Sequence, residues 1–276
     1  MPRLYRVLLL CGLAIAQTCA LARDATVQDE QLLALRLDAA REVKAMVMVP
    51  DQPKAVAILY PGDSGAIGLS GSTGMVILNQ LGLFDFLMRA RNHFFKRGVA
   101  VIALDTVNGQ QMTASDREQS ALVAAAMLDQ VRRQTGLAPS LPVWVIGSRE
   151  GSISAVALAV LQPSPVSGLV LVSSVTRPGA AQGDWAQQRP AGVASMVIGG
   201  VDKPVLVLAN QDDRCPMSPV DDAKSLLAGF SSSPRREAKV MTGDNPVGDA
   251  CGRVSPHNFF ALVAPAAEAI VQFMGL

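Results

Sequence analysis

The chain has 276 residues, half of them hydrophobic and 17% charged, with a formal net charge of +1. This composition suits one sizeable domain with its own core and argues against a disordered chain. There is no basic stripe to bind nucleic acid, and aromatics at 4% are thin for a site that stacks sugars or bases.

Residues 1–22 read as a signal peptide. Arg3 and Arg6 precede an apolar run, Val7 to Ala16, that is too short to span a bilayer. Ala20-Leu21-Ala22 is a small-x-small cleavage site. The other reading is an uncleaved anchor. The expectation is an exported domain, residues 23–276, in the periplasm or outside the cell. Cleavage removes two Arg and no acid, so the charge goes from +1 to −1. Neither Cys11 nor Cys19 lies in a lipoprotein cleavage box, and no other stretch is long and apolar enough for a membrane span. Cys215 and Cys251 remain. An even pair in an oxidising compartment suggests a disulfide, two free thiols being the alternative.

Residues 23–41 are polar and Ala/Leu-rich and read as a surface lead-in, and Glu42 to Val49 as an early strand. Ala55 to Tyr60 is a continuous apolar run, as in a strand buried on both faces. Gly65, Gly68, Gly71 and Gly74 follow in a loop that lacks G-K-[ST] and G-x-G-x-x-G, so no nucleotide cofactor is expected. These glycines instead suggest close backbone approach. Met75 to Arg97 has helical spacing and stops at Gly98. Val99 to Leu104 is a buried strand, Asp116 to Arg133 a helix closed by Gly136, and Pro142 to Ile146 a strand. Gly151 to Leu161 is a helix and Leu169 to Ser173 a strand. Arg177 to Ala194 is a low-complexity loop, in which Trp185 is a candidate cover for an apolar substrate. Val205 to Leu208 and Glu237 to Met241 read as strands, with helices at Pro219 to Ala228 and Phe259 to Met274. This alternation implies one α/β domain with a mostly parallel sheet, where functional groups gather beyond the strands' carboxyl ends.

Three of those strand ends carry chemistry. Val143 to Ser152 outlines a nucleophile elbow, G-x-S-x-G, with Gly147 and Gly151 in place. Asp212 and Asp213 follow the strand ending at Leu208, and His257 precedes the last helix. Either carboxylate there is able to hold a cation, cap a helix or orient a His. The order elbow, Asp, His resembles the α/β-hydrolase superfamily over roughly residues 45–275, most closely small exported members with a Cys in both the acid and His loops. The resemblance implies an α/β-hydrolase fold without a large cap domain and ester-cleaving acyl transfer. It makes Asp212 the acid, His257 the base, and the Gly62, Asp63 and Glu150 amides oxyanion donors. A Cys215–Cys251 bridge would then tie the acid loop to the His loop. No cofactor or metal is implied.

The apex departs from that pattern. An elbow needs small residues two before and two after its apex, which Gly147 and Gly151 supply only around Arg149. Around Ser148 those positions hold Ile146 and Glu150. Arg is no acyl nucleophile, because its guanidinium stays charged and delocalised. Three readings stay open. Ser148 attacks with help from His257 after the turn slides; or an inactive relative uses Arg149 to bind an anionic small molecule or a partner protein; or the chain is an enzyme using different chemistry or an isolated natural variant.

Overall fold

The apolar runs form the middle of one sheet. The computed structural model describes residues 23–178, 187–245 and 248–276. Among them the strands are β1 (Glu30–Arg36), β2 (Glu42–Met48), β3 (Ala55–Tyr60), β4 (Ser70–Ser72), β5 (Met75–Ile77), β6 (Val99–Val107), β7 (Val143–Ser148), β8 (Gly168–Val172), β9 (Val205–Asn210) and β10 (Arg236–Met241). The helices are α1 (Gln80–Phe84), α2 (Phe86–Lys96), α3 (Ala114–Thr135), α4 (Gly151–Val160), α5 (Asp222–Gly229) and α6 (Val263–Phe273).

Eight strands form the sheet in the order β1-β2-β6-β3-β7-β8-β9-β10. From β6 to β10 every neighbouring pair is parallel, while β2 runs antiparallel to both β1 and β6. Every residue of β3, β7, β8 and β9 is buried, as a parallel sheet covered on both faces requires. Ile58, Val145 and Leu171 pack against Leu128 of α3, Val156 of α4 and Leu226 of α5 on one face. Leu59, Ile146 and Val170 pack against Phe94 of α2 and Ile270 of α6 on the other.

The sequence expectations fail where local pattern and tertiary position part. Residues 30–36 form β1, an edge strand whose half-exposed faces blur its alternation. The expected helix from Met75 is a hairpin strand, β5, then α1 and α2 broken at Asp85. The glycines before it serve the chain itself. A side chain on Gly71, at φ 89°, would lie 2.1 Å from the Met75 carbonyl across the β4–β5 hairpin. The last helix starts at Val263 rather than Phe259, because Phe259 takes a left-handed φ of 49° after a tight turn at Pro256–Asn258. Residues 1–22 and Trp185 lie outside the described residues.

Candidate functional site

The corner between β7 and α4 has the expected backbone. Arg149 sits at its apex with φ 54°, a left-handed conformation that costs a side-chain-bearing residue energy and recurs at functional turns. The flanking glycines are steric requirements. A Cβ on Gly151 would lie 2.1 Å from the Tyr60 carbonyl, and one on Gly147 would lie 2.5 Å from the Gly151 carbonyl. Ser148 is the last residue of β7 and is buried. Its hydroxyl donates to Asp85 Oδ2 at 3.3 Å and makes no hydrogen bond to His257.

Arg149 is 3% exposed, and its charge is met from within the chain. Its two terminal nitrogens donate to the two oxygens of Asp63, at 2.9 and 2.7 Å, in a bidentate pair. One of them also donates to the Cys251 carbonyl at 3.1 Å. Burial alone would lower the guanidinium pKa, but the carboxylates of Glu150 and Asp63 more than offset it and the net shift is upward. Asp63 is itself at φ 50°, so two strained residues hold each other. Gly62 makes room for this: a Cβ there would lie 2.9 Å from the Arg149 Cβ. Arg117 of α3, also buried, donates to the Asp63 carbonyl.

The amides of the Gly62–Asp63 turn are occupied too. Asp63 N–H donates to Glu150 Oε2 at 2.7 Å and Gly62 N–H to Asp85 Oδ2 at 3.2 Å. Glu150 sits at the N-cap of α4. Asp85 caps α2, its other oxygen accepting from the Leu87 and Met88 amides. Asp85 lies within the single helix that the spacing of Met75 to Arg97 predicts, although Asp followed by Phe86-Leu87-Met88 is an N-cap signature. Burial raises the Asp85 pKa above the ordinary carboxylate range. A carboxyl with a raised folded pKa contributes stability that is complete below its unfolded value of about 3.9 and is lost as pH rises through the folded value. Asp85→Asn keeps a capping side chain that does not titrate. The urea-unfolding free energy of the natural protein minus that of Asp85→Asn is therefore expected to be largest near pH 4 and to fall toward neutrality. A difference that stays flat with pH contradicts this role.

The carboxylate on His257 is Asp213, not Asp212. Asp213 Oδ2 lies 2.9 Å from His257 Nδ1 and also accepts from the Ser218 hydroxyl at 2.9 Å. Its other oxygen accepts from the Cys215 amide at 2.8 Å. Asp212 turns the opposite way, and one of its oxygens accepts from the Gly243 and Asp244 amides, stapling the loop after β10. Two adjacent carboxylates in one tight turn point to opposite sides, and residue type alone does not say which faces the His. His257 is buried, and with Nδ1 directed at Asp213 its Nε2 is left with no partner. Cys215 and Cys251 form a disulfide with Cα atoms 4.7 Å apart, joining the acid loop to the segment before His257. Asn258 fixes that segment against α2, accepting from Phe86 N–H and donating to the Phe84 carbonyl. Arg89 adds bonds to the Asn258 and Phe260 carbonyls.

Among the described residues no three His, Cys, Asp or Glu side chains cluster as a metal site, and no helix is long and apolar enough to cross a membrane. The arrangement pairs a buried carboxylate with an imidazole, a combination able to serve general-base chemistry. An ion-paired Arg149 stands at the apex of the corner, and carboxylates occupy the Gly62 and Asp63 amides.

No family model matches the sequence, and no curated protein matches it. Solved structures do. A thermostable carboxyl esterase from Bacillus coagulans, in complex with glycerol, is 14% identical with a TM-score of 0.58, over 89% of this chain and 98% of that one. A monoglyceride lipase from Saccharomyces cerevisiae is 11% identical with a TM-score of 0.61, over 89% and 94%. Est1E from Butyrivibrio proteoclasticus, bound to ferulic acid, is 13% identical with a TM-score of 0.60, over 88% and 97%. With its parallel sheet, its elbow after β7 and its Asp213–His257 pair beyond β9, the chain has the α/β-hydrolase fold.

Proposed function

We propose that this is an exported α/β-hydrolase-fold protein that does not hydrolyse esters, and that the residues of its former acyl-transfer centre hold three loops together. The observation that carries this reading is the buried, bidentate Arg149–Asp63 pair at the elbow apex. A guanidinium is no nucleophile. Asp85 and Glu150 on the Gly62 and Asp63 amides support the same reading, since an oxyanion would have to displace a carboxylate from each. Arg149 is also closed to an external anion, because Asp63 already fills that place. The Cys215–Cys251 bridge supports an oxidising compartment, the periplasm or the cell exterior, as the signal-peptide pattern of residues 1–22 implies.

One observation favours the second reading, a working esterase with Ser148 as nucleophile: His257 keeps its carboxylate partner, and its buried Nε2 has no hydrogen-bond partner. Hydrolysis of p-nitrophenyl acetate and butyrate separates the two. The expected result is no turnover above buffer for the natural protein. Saturable turnover that disappears in Ser148→Ala overturns the proposal and establishes the second reading.

A further inference from the structure

Neither Asp213 nor His257 lines a cavity of about 630 Å³. It lies between α3 and the end of the sheet formed by β2 and β6. Its apolar wall includes Leu37, Val43, Leu104, Met112, Leu122 and Val123. Its volume is that of a small-molecule pocket. Most monomer surfaces do not keep an apolar hollow of this size open without a ligand or partner for it.

The polar groups at its inner end are unevenly matched. Arg117 is 2% exposed and lines the cavity; one terminal nitrogen reaches the Asp63 carbonyl, but its Nε has no partner. The Thr106 hydroxyl, 4% exposed and also lining the cavity, has none either. The two lining carboxylates accept from other groups. Asp105 takes the Ile67, Leu69 and Thr106 amides. Asp116 takes the Thr113 amide and hydroxyl in the cap of α3. Tyr60 donates to the Ser120 carbonyl and presents only its ring. Arg117 Nε and the Thr106 hydroxyl are thus two buried groups at this end able to donate and without a partner. Burial also holds the Arg117 pKa below its ordinary value, with the Arg149 charge adding to the shift and Glu150, Asp63 and Asp116 opposing it. Buried donors of this kind are costly until an acceptor meets them.

We propose that the cavity binds an amphipathic carboxylate, a medium-chain fatty acid, with its alkyl chain along Leu122, Val123 and Met112 and its carboxylate toward Arg117 and Thr106. The wall is aliphatic and includes a flexible methionine, which suits an alkyl chain better than a stacked ring. The inference does not depend on whether the elbow is catalytically silent, since the two sites share no reacting group.

Calorimetric titration of the full disulfide-bonded protein with decanoate, below its micellar concentration, tests this. Decanoate is expected to bind saturably, one per chain, and to raise the thermal midpoint. Acetate lacks the chain and decanol lacks the charge, and each is expected to bind at least about tenfold more weakly. Val123→Trp fills the half-buried wall and Leu122→Asp sets a like charge at the exposed mouth. Both variants are expected to fold, as judged by circular dichroism, and to weaken decanoate binding by about tenfold or more. No decanoate binding, equal binding of decanol, or unchanged affinity in both folded variants overturns the proposal.

Discussion

Replacing Arg149 by Met is expected to lower the free energy of unfolding by about 3 kcal/mol, measured by urea denaturation at neutral pH. The loss lies at the lower end for a broken buried ion pair because the partners are not equally buried: the Arg149 side chain is 4% exposed and that of Asp63 32%. Most of the loss comes from what remains. The Asp63 carboxylate is left without its bidentate donor, and the Cys251 carbonyl loses its donor. Asp63→Asn alone is expected to be costly as well, since it leaves a guanidinium buried without its bidentate partner. Asn tolerates the left-handed backbone at position 63, so the effect reports charge and not strain. The double variant is expected to be less destabilised than the sum of the two single variants, as a coupled pair requires. Strict additivity, or a loss below about 0.5 kcal/mol for Arg149→Met, contradicts a structural role for the pair.

Removing the disulfide is the other large perturbation. Cys215→Ala with Cys251→Ala is expected to destabilise the protein by about 4 kcal/mol, from the loop-closure entropy of a bridge spanning 36 residues. The bridge also holds together the loops that carry Asp213 and His257. Asp213 lies two residues before Cys215, and His257 follows Cys251 by six. Arg149 grips the Cys251 carbonyl, so the elbow, the acid loop and the His loop meet at this point. Combining Arg149→Met with loss of the bridge is therefore expected to cost less than the two losses added, because both release the same loop. Urea unfolding of the natural protein with and without reductant provides the same comparison without mutation. A reduced protein within about 1 kcal/mol of the oxidised one contradicts the account.

The sheet was legible in the sequence because burial on both faces writes itself as uninterrupted apolar runs, as in Ala55 to Tyr60 and Leu169 to Val172. The elbow was legible because sterics admit only Gly at 147 and 151, which fixes Arg149 as the apex. Edge strand β1 was not, because half-exposed residues carry no clean alternation. The choice between Asp212 and Asp213 turned on a single turn's geometry. The network around Arg149 was hidden for a different reason. Asp63 lies 86 positions before Arg149 and 87 before Glu150, and Asp85 lies 63 before Ser148. Sequence spacing places an Arg at the apex, but only the fold brings up the carboxylate that neutralises it.

The central claim is that the elbow is an ion-paired structural joint and not a nucleophile site. Fluorophosphonate labelling of the natural protein, read by intact mass and peptide mapping, tests it most directly. The account predicts no adduct under conditions that fully label an active serine esterase. A stoichiometric adduct on Ser148 would contradict it.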